Sequence, residues 1–310
     1  MRMRWYTAAL AALVIALGGC GGDDGGSAKK QTTTTPLAPQ ITIGTKNFPE
    51  QFVLGELYKQ ALEANGFRVR LKSDIGSSEI VDRALVAGSL DMYPEYIGVA
   101  LSELAGRTAR PKSRADAYRR AKAFEEKRGF TLLGMTPFSD QNALAVLPSY
   151  AKSHGLRAIG DLGKVPGRVV LAAPPEFRSR FEGLVGLRRV YGLTNFDFKQ
   201  LKIGEQYAAL DKHMVDVANV FTTDGQLEKG RYVLLRDPRN LFTFQNVAPV
   251  IRKDLLRKYP ALESTIDLVS KKITTKAMRA MNAAVVQRGE KPAAVAKAFL
   301  QQAGLMSGPG

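Results

Sequence analysis

The sequence predicts an α/β fold of two lobes, each a largely parallel sheet covered by helices. Three observations carry this. Short apolar runs of strand length alternate with stretches whose apolar residues recur at helical spacing. The alternation comes in two groups, followed by a mainly helical tail, and strand–helix–strand order of this kind builds parallel sheets with helices on both faces. About 270 of the 310 residues lie beyond residue 40, which suits one large domain or two lobes better than one small core.

Taken in order, "ITIGTK" from Ile41 reads as a strand. Asn47 and Glu50 look like a capping pair around Pro49 in the first turn of a helix, and Leu54, Leu57, Tyr58, Ala61 and Leu62 then recur on one helical face. "FRVRLK" alternates as a half-buried strand. Gly76-Ser77-Ser78 opens a second helix carrying Ile80, Val81, Ala84 and Leu85, and "SLDMY" supplies a third strand. Further on, "NALAVL", "RVVLAA", "FDFKQLKI", "VDVANVF" and "RYVLLRD" are strand candidates, with helices between them around 175–191 and 204–213. The tail from Lys253 is predicted helical, and no repeat of fixed period occurs. Ligands of such folds bind at the carboxyl ends of strands or between lobes.

The N-terminus gives the address. Arg2 and Arg4 precede an apolar run from Tyr6 to Leu17, too short to span a bilayer and built like the core of a secretory signal. It ends in Leu17-Gly18-Gly19-Cys20, which resembles a bacterial lipobox and implies cleavage before Cys20 and a lipid on its sulfur. Cys20 is the single cysteine of the chain, so no disulfide can form within it. Residues 1–19 therefore read as a signal peptide. Residues 20–40, rich in Gly, Thr and Pro, read as a lipidated cysteine and flexible tether.

The formal charge is +16; without Arg2 and Arg4, 43 Lys and Arg face 29 Asp and Glu, leaving +14. The charges are scattered, with short mixed clusters such as "YRRAKAFEEKR" that suit an exposed helix. An exported, tethered chain meets anionic lipid and wall polymer rather than nucleic acid, so no nucleic-acid partner is expected. Catalytic readings are weak. His154 and His213 lack metal-ligand spacing to other candidates, and no G-x-S-x-G, P-loop or paired G-x-G-x-x-G motif occurs. Glu95 is a lone carboxylate. No catalytic residue, metal or cofactor is expected.

Three segments, "IGTKNFPEQFVLGELY", "SSEIVDRALVAGSLDMYPEYIG" and "VDVANVFTTDGQL", together resemble the substrate-binding proteins of ABC importers for quaternary-amine osmoprotectants such as glycine betaine, choline and carnitine. "PPEFRSRFEGLVGL" and "FTFQNVAPVIR" extend the resemblance in the family's order, from about Ile41 to Leu300. It implies a type II periplasmic-binding-protein fold, two α/β lobes joined by two crossover strands. Residues 41–139 plus 246–310 would form one lobe and 140–245 the other. The chain would be a monomer anchored to the outer face of a membrane through Cys20, delivering a small zwitterion or quaternary amine to separate permease and ATPase subunits.

A trimethylammonium group has no N–H to donate, so aromatic faces must hold it, at about 0.5–2 kcal/mol per contact. A ligand carboxylate wants an arginine or exposed backbone N–H groups. The resemblance places Tyr93 as a cage wall and Arg180 as the anion partner, on a helix. Where the family usually has tyrosines, this chain has Asn142, Phe221 and Gln245; Phe221 keeps a ring face without the hydroxyl, and two walls become amides able to bond a more polar ligand. Phe242 or Phe244 could restore a wall. Tyr96 reads as packing and Asp224 as a hinge or turn residue. Ser78 opens a helix; Thr45, Asn47 and Gln51 lie at a strand-to-helix turn facing the cleft.

Overall fold

The computed structural model describes residues 40–107 and 109–306. Gln40 aside, the expected signal peptide, Cys20 and tether lie outside the described residues.

Two five-stranded sheets carry the fold. The first takes strands β1 (Gln40–Gly44), β2 (Arg68–Lys72), β3 (Met92–Tyr96) and β4 (Phe130–Leu132), plus the late strand β10 (Val247–Arg252), in the order β2-β1-β3-β10-β4. The second takes β5 (Asn142–Val146), β6 (Val169–Ala173), β7 (Phe196–Gln200), β8 (Val217–Phe221) and β9 (Val233–Leu234), in the order β7-β6-β8-β5-β9. In each five-stranded sheet four strands point the same way and one runs against them: β10 is antiparallel to β3 and β4, and β5 to β8 and β9. The chain passes between the sheets near Ser139 and returns near Asn246, where an antiparallel bridge joins these two residues.

Strand alternation decides which side chains each core receives. On β3, Met92 and Tyr96 join one cluster with Ile41, Ile43, Val247 and Ile251, while Tyr93 joins another with Val81, Ala248 and Val250. On β5, Leu144 and Val146 face one cluster and Ala143 and Ala145 the other. β3 is covered on both faces, so all five of its residues are buried, the charged Glu95 included.

Helix α1 (Pro49–Ala64) follows β1. Its apolar stripe, Val53, Leu54, Leu57, Tyr58, Ala61 and Leu62, lies against Leu262, Ile266 and Val269 and against Met278, Val295 and Leu300 of the tail helices. Thr45 sets the approach of α1 to the sheet: a Cβ on Gly55 would fall 2.4 Å from Thr45 Cγ2. The expected capping pair does not form. Phe48, not Asn47, is the N-cap residue, it makes no side-chain cap, and Pro49 opens the helix.

The helix expected around 175–191 is broken. Short turns at Pro175–Arg178 and Phe181–Val185 precede a six-residue helix, and Glu182 and Gly183 leave helical geometry. Arg180 itself is extended, at φ −72° and ψ 149°, rather than helical. Gly183 allows the break, since a Cβ there would sit 2.1 Å from the Phe177 carbonyl oxygen. Two strands, β4 and β10, escaped the sequence reading.

Leu57 is fully buried between α1 and the tail helices. Leu57→Ala should lower unfolding free energy by about 2–5 kcal/mol, read as a reduced urea midpoint at unchanged slope. A loss below about 1 kcal/mol would mean the tail does not pack on α1.

Candidate functional site

The carboxyl ends of β1, β3, β6, β7 and β8, and the starts of the antiparallel strands, meet at one edge. A narrow cavity opens there, lined from both sheets. Lys46, Asn47 and Phe48 reach it from the turn after β1, Ser77 and Ser78 from the start of helix α2 (Ser78–Val86), and Tyr96 from the end of β3. From the second sheet come Glu176 and Arg180 after β6, Ile203 after β7, and Phe221 at the end of β8. Asp140, Asn142 and Gln245 line it from the crossings.

Three rings form its aromatic side. Phe48 lies between Tyr96 and Phe221, with ring centroids 6.3 and 6.1 Å away and planes inclined by 17° and 5°. The Lys46 ammonium sits 4.1 Å from the Tyr96 centroid. Lys46 is almost wholly buried, and its Nζ donates to Glu95 Oε1 at 2.5 Å. Ser78 Oγ and the Tyr96 backbone N–H donate to the same oxygen. Burial lowers the Lys46 pKa, against the opposing pull of Glu95.

The segment Tyr93–Tyr96 thus divides its work by strand parity. Tyr93, expected as a cage wall, is fully buried in the core behind β3 and does not line the cavity. Glu95 points to the same side as Tyr93 and holds Lys46. Tyr96, read from sequence as packing, presents its ring to the cavity, and its hydroxyl donates to Glu50 Oε1 at 2.8 Å.

The anion partner is already engaged. Arg180 Nε and Nη2 donate to Glu79 Oε1 at 3.1 and 3.0 Å, and Nη2 also donates to Oε2 at 3.0 Å. Arg180 follows a strand of the second sheet, whereas Glu79 belongs to α2 of the first, so this fork-shaped pair bridges them. Burial opposes ionisation of Glu79, but Arg180 and Ser77 outweigh it and hold the carboxyl at about 2.

The two amides also have partners. Gln245 Nε2 donates to Glu182 Oε2 at 2.7 Å, and Gln245 Oε1 accepts the Val99 backbone N–H at 3.2 Å. Asn142 accepts from Asn219 and contributes to holding the Glu182 carboxylate. Burial raises the Glu182 pKa despite these bonds and those from Thr243. Asn142 and Gln245 line the cavity, yet Gln245 has both amide atoms committed within the protein.

Thr45 and Gln51, expected to face the cleft, are fully buried beside it. Thr45 Oγ1 accepts the Asp74 backbone N–H, and Gln51 Oε1 accepts that of Lys46 at 3.5 Å. Neither lines the cavity; Asn47 and Ser78 do. Phe242 and Phe244 pack into cores and restore no wall. Sequence reasoning passed over Phe48, Lys46, Asp140 and Glu79. Phe48 had a readable signal, being the aromatic between Asn47 and Pro49 on the very turn singled out.

Behind the rings lies an acidic junction. Glu50 accepts from Tyr96, from Thr223 Oγ1 and from Asn282 Nδ2, while Asp140 accepts the Thr223 backbone N–H. Burial raises the Glu50 carboxyl; burial, then the charges of Glu50 and Asp224, raises Asp140 well above the ordinary range. Asp224 accepts from Tyr207 and from the Phe221 N–H, and burial with a contribution from Glu50 pushes it to about 6. No group of three metal-binding side chains occurs among the described residues, and no described helix is long and apolar enough to cross a membrane.

A family model described as the substrate binding domain of ABC-type glycine betaine transport system matches residues 39–302. A glycine-betaine-binding protein of Pseudomonas aeruginosa is 32% identical over 276 residues, covering 86% of this chain and 88% of that protein. The ergothioneine transport permease/ergothioneine binding protein EgtU of Helicobacter pylori is 26% identical over 266 residues, spanning 86% of this chain but 48% of its own length. Among solved structures, that of a glycine betaine/carnitine/choline ABC transporter superposes with a TM-score of 0.70 at 25% identity, covering 87% of this chain and all of that one.

A carboxyl raised in the folded state stabilises most below its unfolded pKa and loses that contribution as pH rises through the folded value. For Asp224 the window runs from 3.8 to about 6. Asp224→Asn should therefore gain most over the wild type at pH 7, with the gap narrowing through pH 5 and closing only below about pH 4, measured as paired melting temperatures. A gap independent of pH would refute the assignment.

Proposed function

We propose, from the premise that the chain belongs to the family of substrate-binding domains of ABC-type glycine betaine transport systems, that it captures a small quaternary amine or zwitterionic osmolyte between its two sheets. It hands that solute to a separate permease and ATPase. Proteins of this kind work outside the cytoplasm and transport rather than transform their ligands. The anchor is the lipidated Cys20, the working unit is a monomer, and no bond of the ligand is made or broken. Residues 41–139 with 246–310 and residues 140–245 act as two lobes, and the paired crossings at Ser139 and Asn246 act as their hinge.

The observation that carries this reading is the row of rings Tyr96, Phe48 and Phe221 at the carboxyl edge of both sheets. A quaternary ammonium offers no N–H, so it gains little from polar walls and much from ring quadrupoles. Contacts drawn from both sheets also let the ligand favour closure, because it then binds the closed state better than the open one. The retained site residues are Asn47, Ser78, Asn142, Arg180, Phe221 and Gln245, joined by Phe48 and Tyr96. Lys46 and Glu95 set the tilt of Tyr96 rather than meet the ligand alone.

Thermal melting with a panel of choline, glycine betaine, carnitine and free amino acids tests the reading. A true ligand at 100 times its dissociation constant stabilises by about 2.7 kcal/mol, a shift of several degrees. Phe221→Ala should weaken the best ligand by roughly three- to thirtyfold, the loss of one cation–π contact. Tyr93→Phe should leave affinity unchanged. No shift with any quaternary amine would overturn the receptor reading.

A further inference from the structure

We propose that Glu79 is a carboxylate built into the site, seated on Arg180 where a ligand carboxylate would sit, so that the cavity selects net-positive quaternary amines over zwitterions. The inference rests on the receptor reading above and decides between its two ligand classes.

Two basic side chains line the cavity, Lys46 and Arg180. Lys46 is spent on Glu95. Arg180 gives Nε and Nη2, the fork that best grips a planar carboxylate, to both oxygens of Glu79. Glu79 is in the first turn of α2 and Ser77 Oγ donates to it, so the carboxylate is held from its own side as well. Arg180 lines the cavity and its side chain is 18% exposed; Glu79, 33% exposed, stands directly behind it on the guanidinium. A ligand carboxylate would have to expel Glu79 and leave it unpaired in the cleft.

The other charged or acidic groups on this wall are carboxyl groups. Asp140 and Glu176 line the cavity, and Glu182 lies behind Gln245 and Asn142. An incoming anion therefore finds no unpaired cation among the lining residues and several acids. An incoming ammonium finds ring faces, which favour it. The expected discrimination is about tenfold, the effect of losing a hydrogen bond to a charged group.

Isothermal titration of the full chain in detergent solution with choline chloride and with glycine betaine tests this. The wild type should bind choline at least about tenfold more tightly than glycine betaine. Glu79→Gln frees Arg180 and should improve glycine betaine about tenfold while weakening choline, and Glu79→Asp should keep the wild-type order. A merely structural role for Glu79 would change both ligands alike. Wild-type protein that binds glycine betaine as tightly as choline, or a Glu79→Gln variant with the same ratio, would overturn the inference and leave the receptor reading standing. Folded protein that binds neither compound nor any other quaternary amine would overturn both.

Discussion

A charge buried where two sheets meet is tolerable only with a partner, because desolvation otherwise outweighs any gain from folding. The cavity follows from that constraint. Lys46 and Glu95 cancel at the end of β3, and Arg180 and Glu79 cancel across the gap. Glu182 is met by the amides and Thr243. Glu50 is met by a tyrosine, a threonine and an asparagine from three separate segments. Once these are paired, the ring faces are what the cavity has left to offer a cation.

The same constraint explains the departures from the family pattern. Replacing aromatic walls by Asn142 and Gln245 looked from sequence like a remodelled ligand cage. In the fold the exchange is coupled to Glu182, whose buried carboxylate needs donors that an aromatic ring cannot supply. Gly98 makes room for the arrangement, since a Cβ there would lie 2.4 Å from Gln245 Nε2. Polarity at these positions thus serves a protein carboxylate in the first place and shapes the ligand's surroundings in the second.

The alternation of strands and helices was legible because parallel, doubly covered strands are apolar runs bounded by glycine and polar turns. Strand β10 was missed because Pro249 interrupts its apolar run, although its neighbours β3 and β4 tolerate a proline there. Parity was the harder matter. Tyr93 and Tyr96 sit three residues apart on one strand, so they must face opposite sides, and sequence could not say which side was the cavity. Arg180 was found as a residue but placed on a helix, because the break at Glu182 and Gly183 depends on a contact with Phe177. Glu79 carried no signal at all: its meaning comes from a partner about a hundred residues away in the chain.

Most direct is a crystal structure of the chain grown with choline. The quaternary nitrogen should lie within about 6 Å of the Phe221 and Tyr96 ring centroids, with Glu79 still forked to Arg180. Choline bound away from those rings, or lying on Arg180 with Glu79 displaced, would contradict it.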